Sequence, residues 1–519
     1  MSNYNPDTEL DRLIKASEDE TRPQAVAKRR ARGFRTAREN LEDLCDTGSF
    51  IEYGQLAVAA QRQRRSLDDL RTNTPADGVI TGLATINAMR NGPLGGQAVV
   101  IINDYTVLAG TQGYFHHQKI DRILGVAIEQ NLPVVMYTEG GGGRPGDTDV
   151  SVQIAGLNLS TFALWAGMAG QSLRIAVNNG YCFAGNAALF GAADIRISTR
   201  ESWIGMAGPA MIEGGGLGSF KPTEIGPAEL QARNGVVDLM VDDEAEATTR
   251  ARQLLGYFQG PLEEIEFADQ SQLAGLLPKD RRYTYHVRRV IEVLGDTGSF
   301  VELGSDYGPG IVTGFIRIEG IPMGLIANDC RVLGGAIDAV ASEKAARFIR
   351  LCNSHGIAIL SLCDTPGFMV GPDSEAQGAM RLMSDFFVAT SQITVPLVTI
   401  FLRKAYGLGA MAMAGGSFAR PVYAASWPTG EFGGMGLEGA VRLGYRKELE
   451  AETDPKKREE LFNTLLSREY DKGRAVEAAA HLEIDAVILP ADTRRHVVRA
   501  LQAAGVKSGA LCPNPGREK

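Results

Sequence analysis

The chain has 519 residues, 44% apolar and 22% charged, which suits two cores of roughly 200 residues better than one. A net charge of −9 argues against a nucleic-acid surface. No run of about 18 apolar residues is present to span a membrane, and the polar stretch Met1 to Glu20 lacks a signal-peptide core, so a cytoplasmic protein is expected. Six cysteines, Cys45, Cys182, Cys330, Cys352, Cys363 and Cys512, are scattered without a CxxC pair, so reduced core thiols and no metal site are expected.

Taken in chain order, the first clear signal is Asp46-Thr47-Gly48-Ser49-Phe50-Ile51-Glu52, which returns as Asp296-Thr297-Gly298-Ser299-Phe300-Val301-Glu302. Ala98 to Ile102 and Pro133 to Tyr137 are apolar runs too short for helices and read as strands. Between them, Phe115 to Gln130 has helical spacing through Ile120, Ile123, Leu124, Ala127 and Ile128. His116-His117 is expected at a partly exposed helix start. The same pattern recurs downstream: Asn103-Asp104, Lys119, Arg122, Glu139 and Gly142 reappear 225 positions later as Asn328-Asp329, Lys344, Arg347, Asp364 and Gly367. Gly185, Trp203 and Met211 match Gly409, Trp427 and Met435 at 224. So many positions in one register mark a duplication whose unit is a whole domain. In the second copy, Met323 to Ala327 and Ile357 to Leu362 take the strand roles, and Ser342 to Asn353 the helix. Two tandem α/β domains with mostly parallel sheet follow, expected at 1–270 and 271–519, with the join in the Gly- and Pro-containing stretch Gly260 to Arg282. Lys447 to Asp471, dense in charge, reads as a solvated helical insertion.

Four strand ends run into glycine: Glu139 to Gly143, Gly180 to Gly185, Thr365 to Phe368, and Tyr406 to Gly409. A strand ending this way before a helix leaves backbone N–H groups free to bind phosphate or an oxyanion. None has dinucleotide or Walker A spacing. Lys119, Arg122, Lys344 and Arg347 could meet phosphates, but pairing with acids along the helix explains them equally well. Cys182 has no His or Asp partner in motif spacing and reads as a core thiol.

The segment Ala176 to Asn186 resembles the oxyanion-hole segment of crotonases, in which a glycine at the place of Gly185 donates its N–H to a CoA thioester oxygen. Ala188 and Gly208 stand where crotonase hydratases carry their two catalytic glutamates, so the enolate-stabilising backbone is kept without the groups that add water. The stretches Gly335 to Asp338, Glu343 to Arg350, Asp364 to Phe368, Arg403 to Gly407 and Trp427 to Thr429 are similar to the carboxyltransferase subunits of biotin-dependent acyl-CoA carboxylases. That similarity extends from about Arg30 to Ala504.

The resemblance implies two tandem crotonase-like βαβ-spiral domains and carboxyl transfer from carboxybiotin to the α-carbon of an acyl-CoA. Ala184, Gly185 and Asn186 would form the oxyanion hole for the thioester, and Leu408, Gly409 and Ala410 the one for biotin. Gly141, Gly142, Gly143, Gly367 and Phe368 would contact the substrates. Freed biotin can take the α-proton, so no protein base is required. The family's first acidic-glycine loop usually reads Asp-Ser-Gly-Gly-Ala-Arg; here it is Glu139-Gly140-Gly141-Gly142-Gly143-Arg144. Lacking an ATP-binding domain and a Met-Lys-Met biotinylation motif, the chain is expected to need a biotin carboxylase and a biotin carboxyl carrier protein. A homo-oligomer built from dimers, with hexamers usual in the family, is implied as well. A decarboxylase subunit running the reverse transfer and a non-catalytic CoA-binding paralogue are the alternative readings.

Overall fold

A computed structural model of the chain describes residues 5–150 and 156–506; Met1 to Tyr4 of the polar N-terminus and Cys512 lie outside the described residues. The chain divides into two compact units, Met1–Gln259 and Gly260–Lys519. The expected boundary at 270/271 falls inside the second unit, beside Leu273, which is buried in that unit's core.

The first unit is built on a seven-stranded sheet in the order β1-β2-β3-β4-β5-β7-β9. Its strands are β1 (Ile51–Glu52), β2 (Val79–Thr85), β3 (Gln97–Asn103), β4 (Val134–Tyr137), β5 (Arg174–Asn178), β7 (Ile195–Thr199) and β9 (Leu239–Val241). From β3 to β9 all pairs are parallel, whereas β1-β2-β3 is antiparallel. A two-stranded parallel ribbon of β6 (Tyr181–Phe183) and β8 (Trp203–Gly205) lies off the main sheet. Every residue of β4 and β5 is buried, which is why β4 reads as an unbroken apolar run and β5 is apolar between Arg174 and Asn178. The helices this unit contributes to the argument are α1 (Pro23–Arg30), α2 (Ala37–Leu44), α3 (Tyr114–Gln130), α4 (Gly185–Gly191) and α5 (Glu244–Phe258). Helix α3 buries Ile120, Ile123, Leu124 and Ala127 along one stripe and stops at Asn131, a left-handed C-cap.

The second unit repeats the plan: β10 (Val301–Leu303), β11 (Ile311–Ile318), β12 (Ile321–Asn328), β13 (Ile359–Thr365), β14 (Leu397–Tyr406), β15 (Tyr423–Ser426) and β17 (Ala486–Val487) lie side by side in that order, and β16 (Glu431–Gly433) pairs with β14. Its helices include α6 (Val287–Leu294), α7 (Ala339–Ser354), α8 (Gly407–Met413), α9 (Arg446–Ala451), α10 (Pro455–Lys472) and α11 (Thr493–Ala503). The charged insertion is the pair α9 and α10, which share a small apolar seam around Leu449 and Leu465.

Strand register carries the duplication down to single residues. Val99 faces Val134 in the first sheet and Gly324 faces Ile359 in the second, each 225 positions on. Upstream the offset differs: Ile51 pairs with Leu83, whereas Val301 pairs with Phe315. The offset is thus 250 at the first strand and 225 at the third, because the first copy carries longer connections on both sides of β2.

The repeated heptad is a structural clamp. The Asp46 carboxylate accepts the N–H groups of Asn87 (3.2 Å) and Ala88 (2.8 Å) and pairs with Arg252 of α5 at 3.0 Å. Asp296 accepts Glu319 (3.0 Å) and Gly320 (2.7 Å) and pairs with Arg494 of α11 at 2.7 Å. Ser49 and Ser299 each exchange hydrogen bonds with the neighbouring strand, at Thr85 and Arg317. Gly48 and Gly298 make the turn at φ +73° and +69°, a conformation that favours glycine.

Candidate active site

In the first unit, β5 runs through Asn179-Gly180 into β6 and then into α4. The residue entering α4, Ala184, sits at φ 51° and ψ −120°, a strained conformation for a residue with a Cβ. Its N–H donates to Gly205 O (3.0 Å) and its carbonyl accepts from Ala188 (2.9 Å). The first N–H groups of a helix have no partner inside it, and those of Gly185 and Asn186 meet none elsewhere among the described residues.

The acidic-glycine loop packs against this turn. Asn186, fully buried, accepts the Gly142 N–H at Oδ1 (3.0 Å) and donates from Nδ2 to Thr138 O (3.1 Å). Gly140 and Gly141 donate to Tyr181 O (2.7 Å) and Ala109 O (3.1 Å). The N–H groups of Gly140, Gly141 and Gly142 are therefore committed to the scaffold, while that of Gly143 has no partner among the described residues. Gly142 is at φ +88°, and a Cβ there would lie 2.8 Å from Ala184 Cβ. Glu139, buried at the loop's start, is gripped by both terminal nitrogens of Arg29 from α1, at 2.9 and 2.6 Å. Arg144, at its end, is bound to Asp77, to Thr111 O (2.8 Å) and to Asp147 (3.5 Å).

The second unit builds the same corner with different side chains. Asp364 at the end of β13 is paired with Arg403 of β14 at 2.9 Å, and Arg403 also donates to Arg281 O (3.0 Å) and Tyr283 O (2.7 Å). Gly367, at φ +119°, donates to Thr365 Oγ1 (3.1 Å) where Gly142 donates to an asparagine. Gly409 in the first turn of α8 lies directly against Gly367: a Cβ on it would sit 2.7 Å from Gly367 Cα and 3.0 Å from Phe368 N. The N–H groups of Phe368, Leu408 and Gly409 have no partner among the described residues. Leu408 itself is 61% exposed. Beside this turn opens a cavity of about 590 Å³ lined by Gly407, Met411, Phe418, Phe432, Lys472 and His481 among others.

The structure thus brings Gly141, Gly142, Gly143, Ala184, Gly185 and Asn186 together at one corner, and Gly367, Phe368, Leu408, Gly409 and Ala410 at the equivalent corner of the other unit. Other sequence readings change. The expected partly exposed start at His116-His117 is instead buried, at 0% and 6% exposure. The His116 N–H donates to Asp77 Oδ2 (2.7 Å), and the His117 ring bonds Thr161 at 2.9 Å. Lys119 pairs with no acid along its helix; its ammonium donates to Ala76 O (2.8 Å) and to Val79 O, and Lys344 does the same to Ile311 O (2.8 Å). Both lysines lie beneath the sheet's first long strand, away from phosphate reach by burial. Burial lowers Lys119 to about 8 and pushes the Cys182 thiol up to about 12, so Cys182 is a core thiol. Sequence reasoning missed Arg29 and Gln112. Arg29 hides in a basic run, and nothing local marks which of its arginines turns inward. Gln112 is 4% exposed and lies over Gly185.

Among the described residues no cluster of three His, Cys, Asp or Glu is placed to hold a metal ion, and no helix is long and apolar enough to cross a membrane.

Residues 28–516 match the carboxyl transferase domain family. The methylmalonyl-CoA carboxyltransferase 12S subunit of Propionibacterium freudenreichii subsp. shermanii is 32% identical over 93% of this chain and 91% of its own. The propionyl-CoA carboxylase beta chain of Saccharopolyspora erythraea is 32% identical over 94% and 91%. Among solved structures, a single-chain, multi-domain long-chain acyl-CoA carboxylase superposes with a TM-score of 0.91 at 53% identity; the match covers 96% of this chain and 49% of that longer one. The transcarboxylase 12S hexamer with methylmalonyl-CoA bound gives 0.82 at 29% identity over 99% and 96%. The repeated glycine corners and these matches along nearly the whole length agree, and the chain belongs to the carboxyl transferase domain family.

Proposed function

We propose that the chain transfers a carboxyl group from carboxybiotin, presented on a separate carrier protein, to the α-carbon of an acyl-CoA. The observation that carries this reading is the pair of equivalent corners, each with backbone N–H groups that have no partner among the described residues. Loss of the α-proton turns the thioester oxygen into an enolate oxygen, and the N–H groups of Gly185 and Asn186 are the donors for that charge. Gly143, the unpartnered amide of the adjoining loop, faces the acyl-CoA. Bound carboxybiotin supplies the carboxyl group. Leu408, Gly409 and Phe368 carry the amides for the ureido oxygen that gains charge when that group leaves. Donors held this way act without reorganisation, and each is worth about 2.7–4 kcal/mol in the transition state. Arg29 and Arg403 set the corners by neutralising the buried Glu139 and Asp364 behind them.

The higher identity to the long-chain acyl-CoA carboxylase, 53% against 32% for the propionyl-CoA carboxylase chain, supports a long-chain acyl-CoA as the substrate. The hexameric 12S relative supports a homo-oligomer built from dimers, working with a biotin carboxylase and a biotin carboxyl carrier. The test is carboxyl exchange by the purified chain between carboxylated acyl-CoAs of graded length and free biotin. Slow exchange that improves with chain length is expected. Bicarbonate-dependent ATP cleavage by the chain alone, or no exchange with any acyl-CoA, would overturn the proposal.

A further inference from the structure

The side chain of Gln112 is 4% exposed, and its Nε2 is buried with no hydrogen-bond partner among the described residues. An unpartnered buried donor costs about 1–3 kcal/mol, so such a group calls for an explanation. Its surroundings supply one. The Gln112 backbone is pinned into the acidic-glycine loop, donating to Gly142 O and accepting from Arg144, both at 2.8 Å. Its carboxamide reaches over the turn at Gly185, where a Cβ would run into Gln112 Oε1 and come within 3.2 Å of the Phe162 ring.

The duplication provides an internal control. Gln112 forms a parallel bridge with Gly143, and 225 positions on, Ile337 forms the same bridge with Phe368. Ile337 is fully buried. The same bridge thus forms around an aliphatic side chain in the second copy, so the corner's backbone geometry does not require an amide here. A scaffold with no use for the amide tolerates an unpartnered donor there when a ligand supplies the acceptor.

We propose that the Gln112 carboxamide is a side-chain donor to the thioester oxygen of the acyl-CoA, completing the oxyanion hole begun by the backbone at Gly185. The inference rests on the acyl-side assignment above. The oxygen and the NH₂ of an amide exchange places by half a turn about its last torsion, so the donor meets an acceptor arriving at Gly185 without backbone movement. The N–H strengthens its bond as the oxygen gains charge on loss of the α-proton, and weakens again when the new carbon–carboxyl bond restores the carbonyl. The second copy, with isoleucine here, meets its ligand through backbone donors alone.

Two variants of matching length test this in the full chain: Gln112→Met removes the donor, and Gln112→Glu replaces it with an acceptor. Both should lose about 10²-fold in kcat for carboxyl exchange, the loss seen on removing one oxyanion donor, with KM for acyl-CoA changed less than threefold. Infrared difference spectra of a carbonyl-13C acyl-CoA bound to the chain give a second readout that needs no turnover. The thioester stretch should be lowered in the parent and return at least halfway to its solution frequency in Gln112→Met. A variant kcat within threefold of the parent, or an unmoved stretch, overturns the role of Gln112 while leaving the carboxyltransferase reading intact. A stretch that shifts as expected in a chain without carboxyl exchange upholds Gln112 and overturns the reaction instead.

Discussion

Gly409→Ala is the smallest change that tests the proposed biotin-side corner apart from the rest of the molecule. The added Cβ would stand 2.7 Å from both Cα and C of Gly367 and 3.0 Å from Phe368 N, against 3.4 Å for ordinary contact. The atoms it meets are backbone, so no side chain can swing aside, and the Gly367-Phe368 peptide must retreat by about 0.7 Å, the gap between those distances. A misplacement of about 1 Å costs on the order of 10²-fold in rate, and overpacking costs about 1–3 kcal/mol of stability. Carboxyl exchange should therefore fall about 10²-fold, while acyl-CoA binding by calorimetry stays within twofold because no acyl-side residue is touched. Gly444→Ala, which meets nothing within 4 Å, is the matched control and should keep the parent rate. Exchange by Gly409→Ala within threefold of the parent would refute the reasoning, since a donor pair squeezed this hard cannot be the working one.

Three further outcomes follow from buried groups. Glu139→Gln removes the charge that faces the Arg29 guanidinium at 2.9 and 2.6 Å and leaves Glu244, at 3.9 Å, as its remaining carboxylate; breaking a buried pair this way should cost about 3–5 kcal/mol in urea unfolding, and an unchanged midpoint would show that Glu244 suffices. Burial pushes Cys45 and Cys182 up to about 12, so at pH 8 both should resist a thiol reagent in the native chain and react once urea is added; native labelling of Cys182, read by peptide mass spectrometry, would contradict its burial. Lys119, lowered to about 8 from 10.5 by burial, sheds its proton in the folded chain while the unfolded chain keeps it, so its contribution to stability rises with pH between those values and is lost as pH falls back through 8. Lys119→Met should remove a climb on the order of 2 kcal/mol between pH 8 and 10, and identical slopes in the two proteins would refute it.

What the sequence revealed tracks how local the determining forces are. Strands β3, β4, β12 and β13 and helices α3 and α7 were legible because burial on both sheet faces leaves continuous apolar runs, and one-sided burial leaves a helical stripe. The antiparallel start of each sheet was not. Residues Ile318 and Ile321 face each other across a two-residue turn whose Glu319 and Gly320 both have positive φ, +52° and +75°. Such turns are announced by Asn-Gly or Asp-Gly, and glutamate at the first position hides the hairpin. The buried histidines escaped for a related reason: polarity suggested exposure, but the Asp77 side chain, brought round by Ala76 and Asp77 at φ +53° and +49°, accepts the His116 N–H inside the core. The glycine corners were visible as motifs, whereas Arg29 and Glu139 are 110 positions apart and only the folded chain joins them.

The duplication also decides what repetition means. The positions kept in both copies hold the scaffold: Asp46 and Asp296 clamp the terminal helix, and the pairs Arg38–Glu52 and Arg288–Glu302 (2.7 and 2.6 Å) tie α2 and α6 to the first strand. Lys119 and Lys344 close backbone carbonyls at the start of the second strand. The heptad that repeats most plainly in the sequence belongs to this set and lies at the sheet edge, not at the glycine corners. Side chains at the corners have instead diverged: Asn186 against Ala410, Gly143 against Phe368, Gln112 against Ile337. Two copies binding the same ligand would be held to the same side chains there, while two copies binding different ligands can share only what is indifferent to ligand identity, the backbone N–H. Shared glycines with divergent neighbours are therefore what the proposed division of labour between two oxyanion sites would leave behind, and on that proposal the divergent neighbours set substrate identity.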